Sequence, residues 1–137
     1  MIIQRTLAIL VTLLCVGSAW AQSEADPAAF YLKFHDVLQK AQRLDEIRPY
    51  FTEQVLQEWS EEEVEDAEGL NQLRRLVPRE LELVSQAIDG KTATLTWRGA
   101  IKDPDNGEVL QSTGIVSLVQ VGGQWRIDNA TWGTGAQ

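Results

Sequence analysis

The segment Val116–Asp128, VSLVQVGGQWRID, decides the fold of this chain. Two apolar, strand-like runs lie on either side of Gly122-Gly123, and the second run opens with Trp125. A two-residue hairpin turn needs positive φ at its central positions, and glycine adopts positive φ without steric cost. The segment therefore predicts a β-hairpin.

The alternation of side chains along a strand assigns a face to each residue after the turn. Trp125, Ile127 and Asn129 share one face, whereas Arg126 and Asp128 share the other. We expect the tryptophan face to be the core, because indole is the largest apolar group in the strand. Unless a bulge intervenes, Asp128 is therefore predicted to point outward and Asn129 inward.

The rest of the second half is also rich in strands. Strands are predicted from Leu81 to Asp89, over Thr92–Arg98 and over Val109–Val121. Alternation in the second of these places Trp97 on the inner face. Gly114 interrupts the third, which predicts a bulge or a bend there.

The first half has helical periodicity. Asp26-Pro27 is a helix start, and apolar residues then recur every three or four positions from Phe30 to Leu44. A short helix over Asp45–Phe51, a helix capped by Thr52, and a segment starting at the capping-box pattern Ser60-x-x-Glu63 follow. Helices followed by an antiparallel meander predict an α+β domain, with the helices packed on one face of a curved sheet.

Residues 1–21 have the features of a signal peptide. The apolar run Leu7–Val16 spans 10 residues, too few for a membrane anchor, which needs about 20. Ala19-x-Ala21 fits the small-residue rule for signal peptidase, with cleavage before Gln22. We therefore predict a periplasmic or secreted protein with one mature domain, 22–137.

Cleavage changes the cysteine count and the charge. It removes Cys15, the one cysteine of the chain, so the mature domain is predicted to be stabilised by packing alone. The chain has 12 basic and 20 acidic residues, and cleavage removes Arg5 and no acid, which leaves a net charge of −9. This charge disfavours nucleic acid and anionic membranes as partners, and it is compatible with a basic protein partner.

Three stretches together carry a resemblance to a known superfamily: AAFYLKFHDVLQKAQRLDEIRPYFT, PRELELVSQAIDGKTATLTWRG and GIVSLVQVGGQWRID. They resemble the nuclear transport factor 2-like superfamily, in particular its small secreted bacterial members, over roughly Pro27 to Trp132. The resemblance implies a cone-like domain, in which a long first helix crosses a strongly bent sheet. It also implies a pocket at the open end and frequent homodimerisation through the sheet.

The superfamily includes ketosteroid isomerase-like and SnoaL-like enzymes, which place a carboxylate or a histidine inside the cone. His35 and Asp128 are the candidates for such a catalytic role in this chain. On a helical projection, His35 lies about 140° from Phe30, which predicts a surface or boundary position. Asp128 is predicted to face outward, so the enzymatic pattern is not matched.

The aromatic residues allow two interpretations. In a domain without disulfides, burial of Trp59, Trp97 and Trp125 is explained by the apolar area that each contributes to the core. The alternative is a ligand pocket. Its lining would consist of Tyr31, Tyr50, Trp59, Trp97 and, as a polar contact, Asn129.

We predict no metal and no cofactor. The acidic run Glu58–Glu68 is interpreted as the solvated face of a helix, near whose N-terminus acids are favoured. The loop at 103–108 is similar to the start of a calcium-binding loop, but no glutamate follows at the position of the bidentate ligand. No phosphate loop, dinucleotide fingerprint or zinc spacing is present in the sequence.

These observations predict an exported, non-enzymatic module that binds a small apolar ligand or a protein partner. A SnoaL-like isomerase, cyclase or hydrolase is the alternative from the enzyme class. A module that neutralises a basic toxin is a further alternative, because the net negative charge would steer a basic protein toward it.

Overall fold

The computed structural model describes residues 26–62, 65–103 and 105–134. The predicted signal peptide, 1–21, and the first residues of the predicted mature domain lie outside the described residues. Within the described part of the chain, no helix has the length and apolar character needed to cross a membrane.

The described chain forms helices first and strands afterwards, so the architecture is α+β, as the sequence predicts. The α-helices are α1 (Pro27–Lys40), α2 (Glu53–Glu62) and α3 (Asp66–Leu76), and two 3₁₀ turns, Leu44–Glu46 and Arg48–Tyr50, connect α1 to α2. The strands are β1 (Glu82–Asp89), β2 (Thr92–Lys102), β3 (Val109–Val121) and β4 (Gln124–Thr134).

Helix α1 starts where it was predicted and ends earlier. The Asp26 side chain accepts a hydrogen bond from the Ala28 amide at 3.1 Å, and Pro27 occupies the first turn. The helix ends at Lys40 because Ala41 is extended. The Arg74 guanidinium on α3 donates to the carbonyl oxygens of Leu38 and Ala41, which stabilises the negative end of the helix dipole.

The boundary between α2 and α3 lies at a different position from the predicted one. Thr52 caps α2 as expected, since its hydroxyl accepts from the Val55 amide at 3.4 Å. Ser60 starts no new helix: it lies inside α2, and its hydroxyl donates to the Gln57 carbonyl at 2.8 Å. An N-cap residue has a non-helical backbone, whereas Ser60 is helical, so it cannot be the cap of α3.

The four strands form one antiparallel sheet in the order β1-β2-β3-β4. The predicted hairpin is confirmed: Val121 pairs with Gln124, and the turn residues Gly122 and Gly123 have φ of 60° and 80°. Positive φ at both positions identifies a type I′ turn, whose twist matches that of the flanking strands.

The core lies between the helices and one face of the sheet, which we call the inner face. Its buried side chains come from β2, β3 and β4, and α1 covers them with Tyr31, Phe34 and Leu38. The inner-face core residues are Ala93, Leu95, Trp97, Val116, Leu118, Trp125 and Ile127.

The bulge predicted at Gly114 is absent, and the alternative, a bend, stays a prediction. The register of β3 continues without a break through Gly114 on both sides, opposite Trp97 of β2 and Trp132 of β4. A Cβ atom on Gly114 would lie 2.4 Å from the Trp132 ring. The glycine therefore makes room for an indole ring that packs flat on the strand.

Candidate functional site

Two of the predicted aromatic residues form the centre of the core. Trp97 and Tyr31 are each 1% exposed, and their rings stack with centroids 5.4 Å apart and an angle of 28° between the planes. Trp125 is also buried, so the predicted inward orientation of Trp97 and Trp125 is confirmed. The indole Nε1 of Trp97 is buried without a hydrogen-bond partner.

The other predicted aromatic residues join this core through two phenylalanines. Tyr50 contacts Phe34 at 5.7 Å between ring centroids, and Phe51 contacts Trp59 at 4.6 Å. Phe34 and Phe51 meet edge to face at 5.2 Å. The predicted set is thus connected by ring-to-ring packing, which is how a core is filled.

A small cavity lies beside these rings. A cavity of about 80 Å³ lies between α1, α3 and β4, and apolar side chains that include Tyr31, Leu38 and Trp132 line it. Pockets for drug-sized ligands have volumes of roughly 300–1,000 Å³. Tyr50 does not line this cavity; it lines a separate surface groove of about 510 Å³.

A β-bulge in β4 reverses the alternation that the sequence predicted. Leu118 pairs with Ile127 and Ser117 pairs with Asn129, so Asp128 is an extra residue without a partner on β3. Beyond an extra residue, every side chain moves to the opposite face. The prediction that Asn129 faces the core is therefore wrong: Asn129 is exposed, and Trp132 packs against the core instead.

Asp128 is exposed, as predicted, and it has a structural partner. The Thr52 hydroxyl donates to Asp128 Oδ1 at 3.2 Å, and the Thr52 amide donates to the Ile127 carbonyl at 3.0 Å. The bulge therefore directs Asp128 toward the residue that caps α2. Sequence reasoning missed this contact, which joins residues 76 positions apart.

His35 is buried, contrary to the helical projection. It is 8% exposed, and its Nε2 lies 2.7 Å from the Pro78 carbonyl oxygen. Because a carbonyl oxygen can only accept, Nε2 must donate this bond and carry a proton. The projection failed because the buried stripe of α1 is centred on Tyr31 and Leu38, about 90° from the Phe30 reference.

We expect His35→Ala to lower the free energy of unfolding by about 1–3 kcal/mol, because it leaves the Pro78 carbonyl without its donor. Urea denaturation of the mature protein measures this change. Asp36→Ala is the matched control, since Asp36 is exposed and its pair with Lys40 contributes about 0–1 kcal/mol. Equal stability of the two variants would contradict a structural role for His35.

The electrostatics of the interior favour neutral groups. Burial raises the pKa of Tyr31, and a side-chain hydrogen bond with Trp132 lowers this pKa by less. The phenol therefore stays protonated. The two candidate catalytic residues have different partners. His35 bonds to the Pro78 carbonyl, and Asp128 accepts a hydrogen bond from the Thr52 hydroxyl.

The described residues contain no group of three or more histidine, cysteine, aspartate or glutamate side chains that could hold a metal ion.

No protein-family model matches this chain, and no curated protein or solved structure is significantly similar to it. The assignment of Tyr31, Tyr50, Trp59, Trp97 and Asn129 as ligand contacts stays a prediction.

Proposed function

We propose that this chain is an exported, non-enzymatic module of the nuclear transport factor 2-like type, and that it binds a protein partner through the open face of its sheet. In this proposal the sheet is strongly curved, and the helices close it into a cone. The order of elements and the aromatic inner face support the proposal.

The observation that carries the proposal is the composition of the outer face, which is the side of the sheet opposite to the helices. Its central residues all lack charge, although 23% of the residues in the chain are charged. They are Ser85, Ala87, Thr94, Thr96, Thr113, Ile115, Ser117, Asn129 and Thr131. Cores of protein interfaces are depleted of charge in the same way.

The surroundings of the outer face also suit a partner. Arg98 on this face pairs with Glu82 at 2.9 Å, so the pair adds no net charge. A groove of about 400 Å³ on this face is lined in part by Val84, Thr96 and Gln111. The partner is expected to present an uncharged surface rich in apolar and hydroxyl groups, because a charged one would lose its hydration without gaining an opposite charge.

The properties of the interior favour a binding site on the surface over a catalytic site or an internal ligand site. The cavity of about 80 Å³ is smaller than the usual range for a ligand pocket. A catalytic proton transfer needs an acid or base within hydrogen-bond reach of the substrate. The buried titratable side chains of the described residues are Tyr31 and His35, which bond to Trp132 and Pro78.

The test places a photo-crosslinking amino acid at Ile115, which is 50% exposed on the outer face, in the full chain expressed with its own leader. Leu32 on α1 is the matched control position, because it is 46% exposed on the helical side. We expect an adduct of discrete mass from Ile115 and none from Leu32. The mass of the exported protein also checks cleavage before Gln22.

The partner identified in this way is then purified for a binding measurement. Ile115→Lys is expected to weaken its binding by tenfold or more, because the change buries an unpaired charge at the interface. Leu32→Lys should leave binding unchanged. Absence of an adduct, an adduct made of two copies of this chain, or equal effects of the two lysine variants would each contradict the proposal.

A further inference from the structure

A second surface feature lies beside the hairpin turn. A groove of about 510 Å³ is bounded by the first turns of α1, the 3₁₀ turn that ends at Tyr50 and the start of β4. Its apolar floor includes Phe30 and Tyr50, whose ring centroids are 5.6 Å apart, and Trp125. This volume falls within the range of small-molecule sites.

Two cations border this apolar floor. Lys33 lies one helical turn after Phe30, and Arg126 follows Trp125 in β4. Among the described side chains, no carboxylate forms an ion pair with either cation, which is also true of several other basic residues, so the juxtaposition of the two beside one apolar groove is the relevant feature. In an acidic protein, two cations without an acidic partner beside one groove indicate a site for an anion.

The geometry of Arg126 favours a planar anion. Its Nη1 donates to the Trp125 carbonyl at 3.0 Å and its Nη2 donates to Gln124 Oε1 at 2.9 Å, so the guanidinium is held in one orientation. A guanidinium has five N–H donors, so donors remain for a ligand. The one acid of the lining, Asp26, accepts from the Ala28 amide as the helix cap.

We propose that this groove, which we call the hairpin groove, binds a small carboxylate that carries an aromatic or medium-length aliphatic group. The carboxylate lies between Lys33 and Arg126, and the apolar group lies on Phe30 and Tyr50. The lining has two cations and one acid, and the whole chain is acidic, so a singly charged ligand is favoured over a polyanion.

The test uses 3-phenylpropionate and octanoate as carboxylate probes and their primary amides as uncharged matches, with calorimetry on the mature protein. We expect each amide to bind about fivefold to tenfold more weakly than its acid, because the amide loses the charge-assisted hydrogen bonds. Equal binding of acid and amide, or no binding of either acid at roughly millimolar concentration, would overturn the proposal.

Paired variants locate the site. Lys33→Gln and Arg126→Gln are each expected to weaken carboxylate binding by about fivefold. Lys40→Gln and Arg98→Gln remove the same charge elsewhere and should change it by less than about twofold. Equal losses in the two pairs would mean a general charge effect and would overturn the assignment to this groove.

A steric variant tests the groove without a change of charge. Ala29 is exposed and lines the groove, so Ala29→Phe should block binding of both probes while the fold is retained. Ala67→Phe, at an exposed position of α3, is the control. The hairpin groove and the outer face use different residues, so failure of this test leaves the protein-partner proposal intact, and the reverse also holds.

Discussion

Trp97→Ala is expected to lower the free energy of unfolding by about 3–5 kcal/mol, the range for removal of a buried aromatic ring. The Trp97 side chain is 1% exposed and stacks on Tyr31, so the helices and the sheet both lose contacts. Single domains have about 5–15 kcal/mol of stability, so a wild type at the lower end of that range would be close to unfolding in this variant. Urea denaturation followed by circular dichroism measures the change.

Trp97→Phe separates the packing of the ring from its polar atom. The indole Nε1 of Trp97 has no hydrogen-bond partner, and phenylalanine lacks that buried donor. We therefore expect Trp97→Phe to cost clearly less than Trp97→Ala. Thr94→Ala, on the exposed face of the same strand, should stay within about 0.5 kcal/mol of wild type. A loss for Trp97→Ala no larger than that of Thr94→Ala would contradict the core assignment.

The sequence predicted the fold class and much of the sheet because local rules determine both. Alternation in Thr92–Arg98 placed Trp97 correctly, and two glycines at 122 and 123 located the hairpin turn. Both inferences depend on the period of a strand and on the φ that a turn requires. Neither requires knowledge of what packs against the strand.

Predictions that depended on distant contacts failed. The bulge at Asp128 has no sequence signal of its own, since it is associated with Thr52, 76 residues earlier. One extra residue then exposed Asn129 and brought Trp132 to the core. His35 was misplaced for a similar reason: the carbonyl that it binds belongs to Pro78, in a different segment of the chain.

The candidate sites illustrate the same limit. The uncharged centre of the outer face combines residues of four strands, and the register that aligns these strands could not be read from the sequence. The hairpin groove combines Phe30, Lys33 and Tyr50 from the helical half with Arg126 from β4. Of these four residues, only Tyr50 was among the predicted ligand contacts. No sequence pattern connects Phe30, Lys33 and Arg126, which come together through tertiary packing.

Gly114→Ala is expected to lower the free energy of unfolding by about 1–3 kcal/mol, the usual cost of an added methyl group in a tightly packed site. The new Cβ atom would lie 2.4 Å from the Trp132 ring, so the ring must move. This ring covers β3 and bonds to Tyr31, so its displacement also disturbs the centre of the core. Urea denaturation of the mature protein measures the loss.

A double-mutant cycle shows whether the cost comes from this contact. Trp132→Leu removes the ring, so Gly114→Ala should cost much less in that background, with a coupling energy of about 0.5–3 kcal/mol. Gly133→Ala is the matched control in β4, because a Cβ atom there meets nothing within 4 Å. If Gly114→Ala and Gly133→Ala were equally stable, Trp132 would not lie on Gly114. The bulge at Asp128, which brings Trp132 to the inner face, would then also be wrong.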